Sequence, residues 1–428
     1  MKITSDRLTR QFESELGAAA VSAEPGALAA HAVDGKVPAL ICAPAAPQQL
    51  ALALGICSAA QAAVIPWGGG TAMAIGNPPR RADVILKTHR FNRIIDHDHA
   101  NLTLTGQSGM TLNGVQAALT PQKQFAPFDA PFPERSTLGG IVAANLNGPR
   151  RSSWGSVRDL VIGMKVVLAS GEQIKAGGKV VKNVAGYDMC KLFTGSLGSL
   201  GIITELTVRV APVPECSATG MAWGTLEQGE KLAGEITNSK LLPAAVFLRN
   251  NAARQNWQLA VSFEGFAETV ARQLRDVDSM AQRLGMRSET LGAENQQPLW
   301  QELRDSPLEA GRVVFRMTVA RKSLAQIIRA IDSSHTGATP PAIIADMAMG
   351  TIWLAGAANK TFADGFAPLI SLAQQQRGHA IMFAAPAPLK QGVEVWGPAP
   401  PALALMREIK HKFDPQAILN PGRFVGGF

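Results

Sequence analysis

The chain of 428 residues is poor in cysteine, in tyrosine and in long apolar runs, and each shortage excludes a class of protein. Its four cysteines (Cys42, Cys57, Cys190 and Cys216) lack C-x-x-C spacing, which argues against a structural zinc site or an iron–sulfur cluster. No run of about 18 apolar residues is free of charge, so no membrane-spanning helix is expected. Scattered cysteines are typical of small buried side chains in a reducing compartment, and we expect a cytoplasmic protein.

Charged residues are few, and basic residues outnumber acidic ones. Charged residues make up 17% of the chain and apolar residues 46%, which predicts a sizeable core divided over two or three domains. The net charge of +8 suits an acidic partner, an anionic substrate or a membrane surface, although ordinary solubility would explain it equally well. The basic residues are dispersed and not interleaved with aromatics, so we expect no nucleic-acid partner.

The two commonest phosphate-binding motifs are also missing. No strand leads into G-x-G-x-x-G and a helix, and no Gly-Lys-Ser/Thr sequence occurs. Three other glycine-containing stretches follow one another instead, at residues 66–71, 136–159 and 182–204. Three such stretches within about one domain length favour a ligand of nucleotide size.

The first stretch shows why. Val64 and Ile65 end an apolar run typical of a strand, and Gly68, Gly69 and Gly70 follow before Thr71. Successive backbone N–H groups in such a turn can converge on a phosphate, because glycine has no Cβ to hold the ligand away. A tight turn between strands without a ligand remains an equal alternative for this stretch alone.

Sequence patterns beyond the glycine stretches predict an α+β protein. Short apolar strands alternate with helices, and Pro212 and Pro214 end a strand that begins near Ile202. After residue 214 the pattern changes to an antiparallel sheet with helices on one face. The domains predicted are therefore 1–214 and 215–385, followed at 386–428 by a connector, a final helix and a tail that returns to the first domain.

Residues 37–214 resemble the FAD-binding domain of the vanillyl-alcohol oxidase and p-cresol methylhydroxylase family. The tail at 413–423, Phe-Asp-Pro-Gln-Ala-Ile-Leu-Asn-Pro-Gly-Arg, is similar to the ending of many members. The resemblance implies a two-part FAD-binding domain of the vanillyl-alcohol oxidase type plus an antiparallel-sheet α+β cap domain. Within the family, residues 148–151, 154–159 and 182–188 resemble the smaller FAD-binding subunits of bacterial glycolate oxidases.

The resemblance also implies which residues bind FAD. Residues 67–71 would wrap the pyrophosphate, 136–140 would line the flavin and ribityl side, and 198–203 would contact the isoalloxazine or ribityl region. No histidine or cysteine occurs in 72–77, where many relatives attach the flavin covalently, so non-covalent FAD is expected. The residues implied are Pro66, Trp67, Gly68, Gly69, Gly70, Thr71, Ala72, Ser136, Thr137, Leu138, Gly139, Gly140, Asn145, Asp159, Gly198, Ser199, Gly201, Ile202 and Ile203.

The candidates for catalysis are less well defined. Larger relatives carry Gly-His-x-Gly-Asp-Gly-Asn, which ligates a metal, whereas this chain has only Arg377-Gly378-His379-Ala380, and we expect no metal. His379 is a base or an ordinary histidine. Tyr187, the single tyrosine, is a flavin-side hydroxyl or, as we favour, a buried aromatic. His97 and His99 are expected in an exposed loop. The arginines that would hold a substrate carboxylate are Arg249, Arg254, Arg312, Arg316 and Arg321.

Three functions follow from the resemblance. The first is FAD-dependent oxidation of glycolate or a related 2-hydroxy acid, as one subunit of a complex with a sister FAD subunit and an iron–sulfur subunit. Such a complex would allow peripheral association with the inner face of the membrane. The second is a non-catalytic FAD-binding subunit for electron transfer or assembly, which the degraded histidine motif favours. The third is a stand-alone flavin oxidase of another alcohol.

Overall fold

The computed structural model describes residues 5–178, 187–251, 256–309, 311–334 and 340–428. The chain divides into two compact units. Unit 1 comprises Met1–Asn147, Ser156–Pro212 and Lys390–Phe428, and unit 2 comprises Gly148–Gly155 and Val213–Leu389. The short stretch Gly148–Gly155 thus belongs with the second unit, although it lies within the first half of the chain.

The elements up to residue 212 are mostly short. The strands are β1 (Val21–Ser22), β2 (Leu40–Cys42), β3 (Val64–Trp67), β4 (Val84–Lys87), β5 (Ile94–Asp98), β6 (Thr103–Gln107), β7 (Gln124–Phe125), β8 (Val161–Val167), β9 (Gln173–Gly177), β10 (Ile202–Arg209) and β11 (Ala211–Pro212). The helices are α1 (Ser5–Leu16), α2 (Pro25–Ala30), α3 (Pro47–Ala60), α4 (Leu112–Leu119), α5 (Leu138–Ala144), α6 (Arg151–Trp154), α7 (Val157–Leu160) and α8 (Met189–Phe193). Of these, α6 lies in unit 2.

Unit 1 is built on two main sheets. The first has the order β1-β2-β4-β3, with β2 and β3 both parallel to β4. The second has the order β5-β6-β10-β8-β9 and is antiparallel throughout. A core of Leu, Phe, Val and Ala side chains, including Phe12 and Leu54, packs α1 and α3 against the first sheet. The two sheets confirm the predicted two-part domain.

The remaining elements belong to unit 2, apart from the last helix. The strands are β12 (Cys216–Gly224), β13 (Ala245–Asn251), β14 (Asn256–Gly265), β15 (Arg287–Leu291), β16 (Arg312–Thr318), β17 (Ala342–Asp346), β18 (Thr351–Ala357) and β19 (His379–Ala384). The helices are α9 (Leu226–Thr237), α10 (Ala267–Arg283), α11 (Ala293–Asp305), α12 (Leu324–Ser334), α13 (Lys360–Asp364), α14 (Phe366–Gln375), α15 (Ala387–Lys390) and α16 (Leu403–Phe413), the last in unit 1.

Unit 2 is built on an eight-stranded antiparallel sheet with the order β15-β12-β14-β13-β17-β18-β16-β19. Gly220 of β12 points to α10, because a Cβ there would meet Leu274 and Val277. Its neighbour Met221 points to the other face, where it packs with Leu299 of α11. The antiparallel cap predicted from the sequence is confirmed, but α11 lies on the face opposite α10. Among the described residues, no helix is both long and apolar enough to cross a membrane.

Candidate functional site

Unit 1 contains a cleft of about 700 Å³ where four chain segments meet. The segments are the glycine loop after β3, the first turns of α5, the loop before β10 and the C-terminal tail. Thirteen of the residues implied by the resemblance line it: Pro66, Trp67, Gly68, Gly69, Gly70, Thr71, Ala72, Gly139, Gly140, Gly198, Gly201, Ile202 and Ile203. The sequence analysis did not include Met73, Thr88, Ala143, Ala144, Leu197, Asn420 and Arg423, which also line it.

The glycine loop can only be built from glycine. A Cβ on Gly69 would lie 1.8 Å from the carbonyl oxygen of Arg135, and one on Gly68 would lie 2.3 Å from Oγ1 of Thr137. Gly70 adopts a φ of +75°, which L side chains rarely adopt. The segment at 135–137 therefore presses against the back of the loop, and the absence of side chains leaves its front accessible to a ligand.

Three predicted site residues support the cleft from behind and do not line it. The hydroxyl of Ser136, a residue that is almost fully buried, forms a hydrogen bond with Oγ1 of Thr71 at 2.8 Å. Thr137 caps α5 by accepting a hydrogen bond from the Gly140 N–H at 3.3 Å. Leu138 is buried in the core. These residues hold the glycine loop and the start of α5 in register with one another.

Three further predicted residues bond elsewhere in unit 1. Asn145 ends α5 with a φ of +49°, and its amide oxygen accepts from Asn147 at 3.0 Å. The Asp159 carboxylate accepts from the backbone N–H of Ser156 at 3.0 Å, so it closes a capping box on α7. Ser199 donates to the Ser196 carbonyl at 2.7 Å. A direct role for these three with FAD stays a prediction.

Two buried cations hold the segment that follows the glycine loop. Arg423 donates to the carbonyls of Met73 at 2.9 Å and Ile75 at 2.7 Å. Lys390 donates to the carbonyls of Ala74 at 2.6 Å and Gly76 at 3.3 Å, and it pairs with Asp34 at 3.1 Å. We call this arrangement, four successive carbonyls on two cations, the carbonyl clamp. It fixes residues 73–76, the segment that directly follows the glycine loop.

A third buried cation fastens the tail. Lys410 of α16 pairs with Asp414 at 2.6 Å and donates to the carbonyls of Leu419 at 2.9 Å and Ser199 at 2.8 Å. Burial lowers the pKa of Lys410, an effect that Asp414 opposes. The tail therefore reaches the cleft along a fixed path, which places Asn420 and Arg423 in its wall.

Part of the third predicted stretch, residues 182–186, lies outside the described residues. Tyr187, which follows it, is 95% exposed, so the expectation of a buried aromatic was wrong. His97 was expected in an exposed loop, but it lies in β5 and bonds Oε1 of Gln124 at 2.8 Å. The regular pairing of β5 with β6 explains that difference.

In the sheet of unit 2, residues that are directly opposite each other on neighbouring strands form rows of side chains across one face. One row contains Phe247, Asp346, Thr351, Thr318 and His379. The adjacent row contains Arg249, Ile344, Trp353, Arg316 and Ile381. Arg316 and Asp346 thus share a face, two strands apart, and His379 lies at its edge strand. We call the part of the sheet with these three side chains the Arg316 face.

The two charged groups on the Arg316 face, Arg316 and Asp346, differ in their surroundings. Among the described residues, Arg316 forms no ion pair and lies over the ring of Phe383, 5.0 Å from its centroid. Burial, and then the nearby Arg151, lower its pKa to about 10. Asp346 is only 3% exposed, and burial raises its pKa to about 7, although Arg151 and two backbone N–H groups favour its charged form.

Comparison with known proteins supports the assignment of the cleft. A family model described as an FAD binding domain matches residues 38–177, and one described as the C-terminal domain of FAD linked oxidases matches residues 398–424. The chain therefore carries an FAD-binding domain. FAD is its cofactor. The cleft fits this group, because its wall is a cradle of glycine backbone beside apolar side chains such as Ile202 and Ile203.

Individual relatives cover nearly the whole flavoprotein. A glycolate oxidase subunit of Bacillus subtilis is 28% identical over 90% of this chain and 89% of its own length. A glycolate oxidase subunit of Escherichia coli is 29% identical over 83% of this chain and 91% of its own. A solved p-cresol methylhydroxylase superposes with a TM-score of 0.75 at 15% identity, covering 98% of this chain and 96% of that one, which shows a shared fold.

Proposed function

We propose that the flavoprotein oxidises a small 2-hydroxy acid, of which glycolate is the leading candidate, to the 2-oxo acid. The observation that carries this proposal is the presence, on one face of the sheet, of a guanidinium without an ion pair among the described residues and a buried carboxyl with a raised pKa. Relatives named glycolate oxidase subunit, D-lactate dehydrogenase and D-2-hydroxyglutarate dehydrogenase point to the same substrate class.

Arg316 is the best candidate among the five arginines for binding the substrate carboxylate. Arg249 already pairs with Glu302 at 2.8 Å, and Arg312 lies 3.9 Å from Glu309. Arg321 is exposed and donates to the Thr237 carbonyl at 3.3 Å, while Arg254 lies outside the described residues. A partly buried guanidinium without a carboxylate partner is a strong site for a bidentate carboxylate.

Asp346 would serve as the base. Bound FAD would supply the two-electron oxidation, and the Asp346 carboxylate would accept the hydroxyl proton of the substrate. Arg316 and Asp346 lie on one face of the sheet, two strand spacings and two residues along the strands apart, which corresponds to about 12 Å between their Cα atoms. A pKa near 7 suits a group that must accept a proton at neutral pH.

We further propose that the chain acts as a subunit, with a sister FAD subunit and an iron–sulfur subunit as partners. Two of the relatives that cover most of the chain are named as glycolate oxidase subunits, which supports an assembly. Electrons taken from the substrate must leave, and among the described residues no group of three or more His, Cys, Asp or Glu could hold a metal. A non-catalytic role in the same assembly is the second candidate, favoured by His379 lying exposed at the sheet edge.

The test is an anaerobic titration of the purified flavoprotein with glycolate and then D-lactate, followed by the visible flavin spectrum. We expect the flavin band to bleach. We also expect Arg316→Met to need about 10- to 100-fold more substrate, because a charge-assisted hydrogen bond is lost. The control is Arg321→Met, the same exchange at an exposed arginine. A band that no 2-hydroxy acid bleaches, with or without the partners, would overturn the catalytic proposal and leave the non-catalytic role.

A further inference from the structure

Two buried polar atoms in the wall of the flavin cleft have no hydrogen-bond partner among the described residues. They are Oδ1 of Asn420, in a residue 4% exposed, and Nε of Arg423, in a residue 3% exposed. Both residues line the cleft and belong to the C-terminal tail. Buried polar atoms in native proteins are nearly always satisfied, so a ligand is the natural partner for this pair.

The other polar atoms of both side chains fix their orientation. The amide nitrogen of Asn420 donates to the Leu197 carbonyl, so the amide cannot rotate to present a donor to the cleft without losing that bond. The guanidinium of Arg423 is held by the Met73 and Ile75 carbonyls of the clamp. Asn420 thus retains one acceptor and Arg423 one donor that no described residue engages.

This combination discriminates between the parts of FAD. A pyrophosphate offers only acceptors, so it would leave Oδ1 of Asn420 without a donor. An adenine offers a donor and acceptors, and the ribityl and ribose hydroxyls can also donate and accept, but none of these groups changes charge when FAD is reduced. The imide edge of the isoalloxazine ring offers an N–H beside two carbonyls, and this ring system gains electrons when FAD is reduced. Among the parts of FAD that match the hydrogen-bonding pattern, this edge is the one that becomes more negative beside the Arg423 guanidinium.

We propose that Asn420 and Arg423 bind the imide edge of the isoalloxazine ring, with Oδ1 of Asn420 accepting from the ring N–H and Nε of Arg423 donating to a ring carbonyl. The tail is then a part of the flavin site and not only a support for it. Because the guanidinium would face a ring that becomes more negative on reduction, it would favour the reduced cofactor. This inference concerns FAD alone and does not depend on the proposed substrate.

The test compares the affinities of the apoprotein for FAD and for ADP, which shares the adenosine and pyrophosphate with FAD but lacks the ring. Asn420→Ala and Arg423→Gln are expected to weaken FAD binding about tenfold each, while the dissociation constant of ADP stays within about twofold. The control is Arg81→Gln, an exposed arginine of unit 1 paired with Asp83. Unchanged ADP binding also shows that the variant cleft is folded.

A second measurement is the reduction potential of the bound flavin, by equilibration with reference dyes. Arg423→Gln should make the potential more negative, whereas Arg423→Lys, which keeps the charge, should recover most of the loss. A merely structural role in the carbonyl clamp would leave the potential unchanged. Equal weakening of FAD and ADP, or no weakening of FAD by Asn420→Ala, would overturn the proposal and assign the two residues to another part of the cofactor or to support alone.

Discussion

The flavin cleft of unit 1 and the Arg316 face of unit 2 are built in opposite ways. The cleft consists largely of backbone and small residues, and the lysines near it are already bonded to carboxylates and carbonyls. The Arg316 face presents a guanidinium that forms no ion pair among the described residues and a buried carboxyl whose charged form Arg151 and two backbone N–H groups favour. A site built from backbone suits a cofactor that stays bound, whereas a guanidinium without a carboxylate partner suits a small charged substrate that enters and leaves.

This difference also decides which site can be recognised from sequence. Both matched family models fall chiefly in unit 1, at residues 38–177 and 398–424. Glycines that the fold cannot replace leave a pattern in the sequence. Two charged residues on separate strands, such as Arg316 and Asp346, leave none, because only the strand register brings them to one face.

The largest effect is expected from Asp346→Asn. If Asp346 is the base, the variant should reduce the rate of flavin reduction by 2-hydroxy acid about 10²- to 10⁴-fold. The amide oxygen can still accept from the Ala348 and Met349 backbone N–H groups, so the turn should remain. The rate in the unmodified protein should rise with pH through about 7 as the carboxyl loses its proton, and the variant should lack this dependence. Stopped-flow absorbance measures both.

The same substitution, which is expected to lower activity, is expected to raise the stability of the folded protein above neutral pH. The pKa of Asp346 is raised from 3.8 to about 7 in the folded protein, so its contribution to stability is fully present below about pH 4 and is lost as pH rises to 7. Asp346→Asn should therefore unfold at a higher temperature than the parent at pH 8 and not at pH 4. Asp332→Asn, at an exposed carboxylate of α12, is the control. If the difference in unfolding temperature between the parent and the variant were the same at pH 4 and at pH 8, that result would contradict the raised pKa of Asp346.

A smaller effect, on stability and FAD retention, is expected from Lys390→Met. The substitution removes the bonds to the Ala74 and Gly76 carbonyls and leaves the buried Asp34 carboxylate unpaired. Breaking a buried pair in this way costs about 3–5 kcal/mol. Denaturant unfolding and the FAD content of the purified protein report it. Adding Asp34→Asn should restore part of the stability, and a single variant as stable as the parent would show that the carbonyl clamp contributes nothing.

Much of the fold could be predicted because local patterns and tertiary packing agree. Strands such as β10 (Ile202–Arg209) and helices such as α10 (Ala267–Arg283) lie where apolar alternation or helical periodicity indicates. Helix α11 and strand β15 are elements that local sequence patterns do not indicate. Pro298 lies inside α11, where a proline usually indicates a break, and β15 is a largely polar edge strand that pairs only with β12.

The candidate site could be predicted only where the chain is contiguous. Asn420 and Arg423 lie in the tail whose sequence resembles that of the family. The neighbouring sequence does not indicate that Asn420 contacts Leu197 or that Arg423 contacts Met73, each more than 200 positions away. Asp159 is predicted as a flavin contact from the resemblance, and Ser156-x-x-Asp159 is also a capping-box pattern, which the structure shows its carboxylate to complete. Polar residues near a glycine loop therefore need their local hydrogen-bonding alternatives weighed first.

The smallest of these effects is expected from Gly69→Ala, and it tests whether the cleft is built from backbone. The new Cβ would meet the Arg135 carbonyl at 1.8 Å, so the loop or the 135–137 segment must shift. Overpacking of this kind costs about 1–3 kcal/mol, which would weaken FAD binding about 10- to 100-fold if the displaced loop is the one that holds the cofactor. The matched control is Gly55→Ala in α3, where a Cβ would meet nothing within 4 Å and alanine favours the helix.

Fluorescence titration of both apoproteins with FAD compares the dissociation constants of the two variants. If Gly69→Ala bound FAD as tightly as Gly55→Ala, the cofactor would have to be held by side chains, and the contrast between the cleft and the Arg316 face would fail.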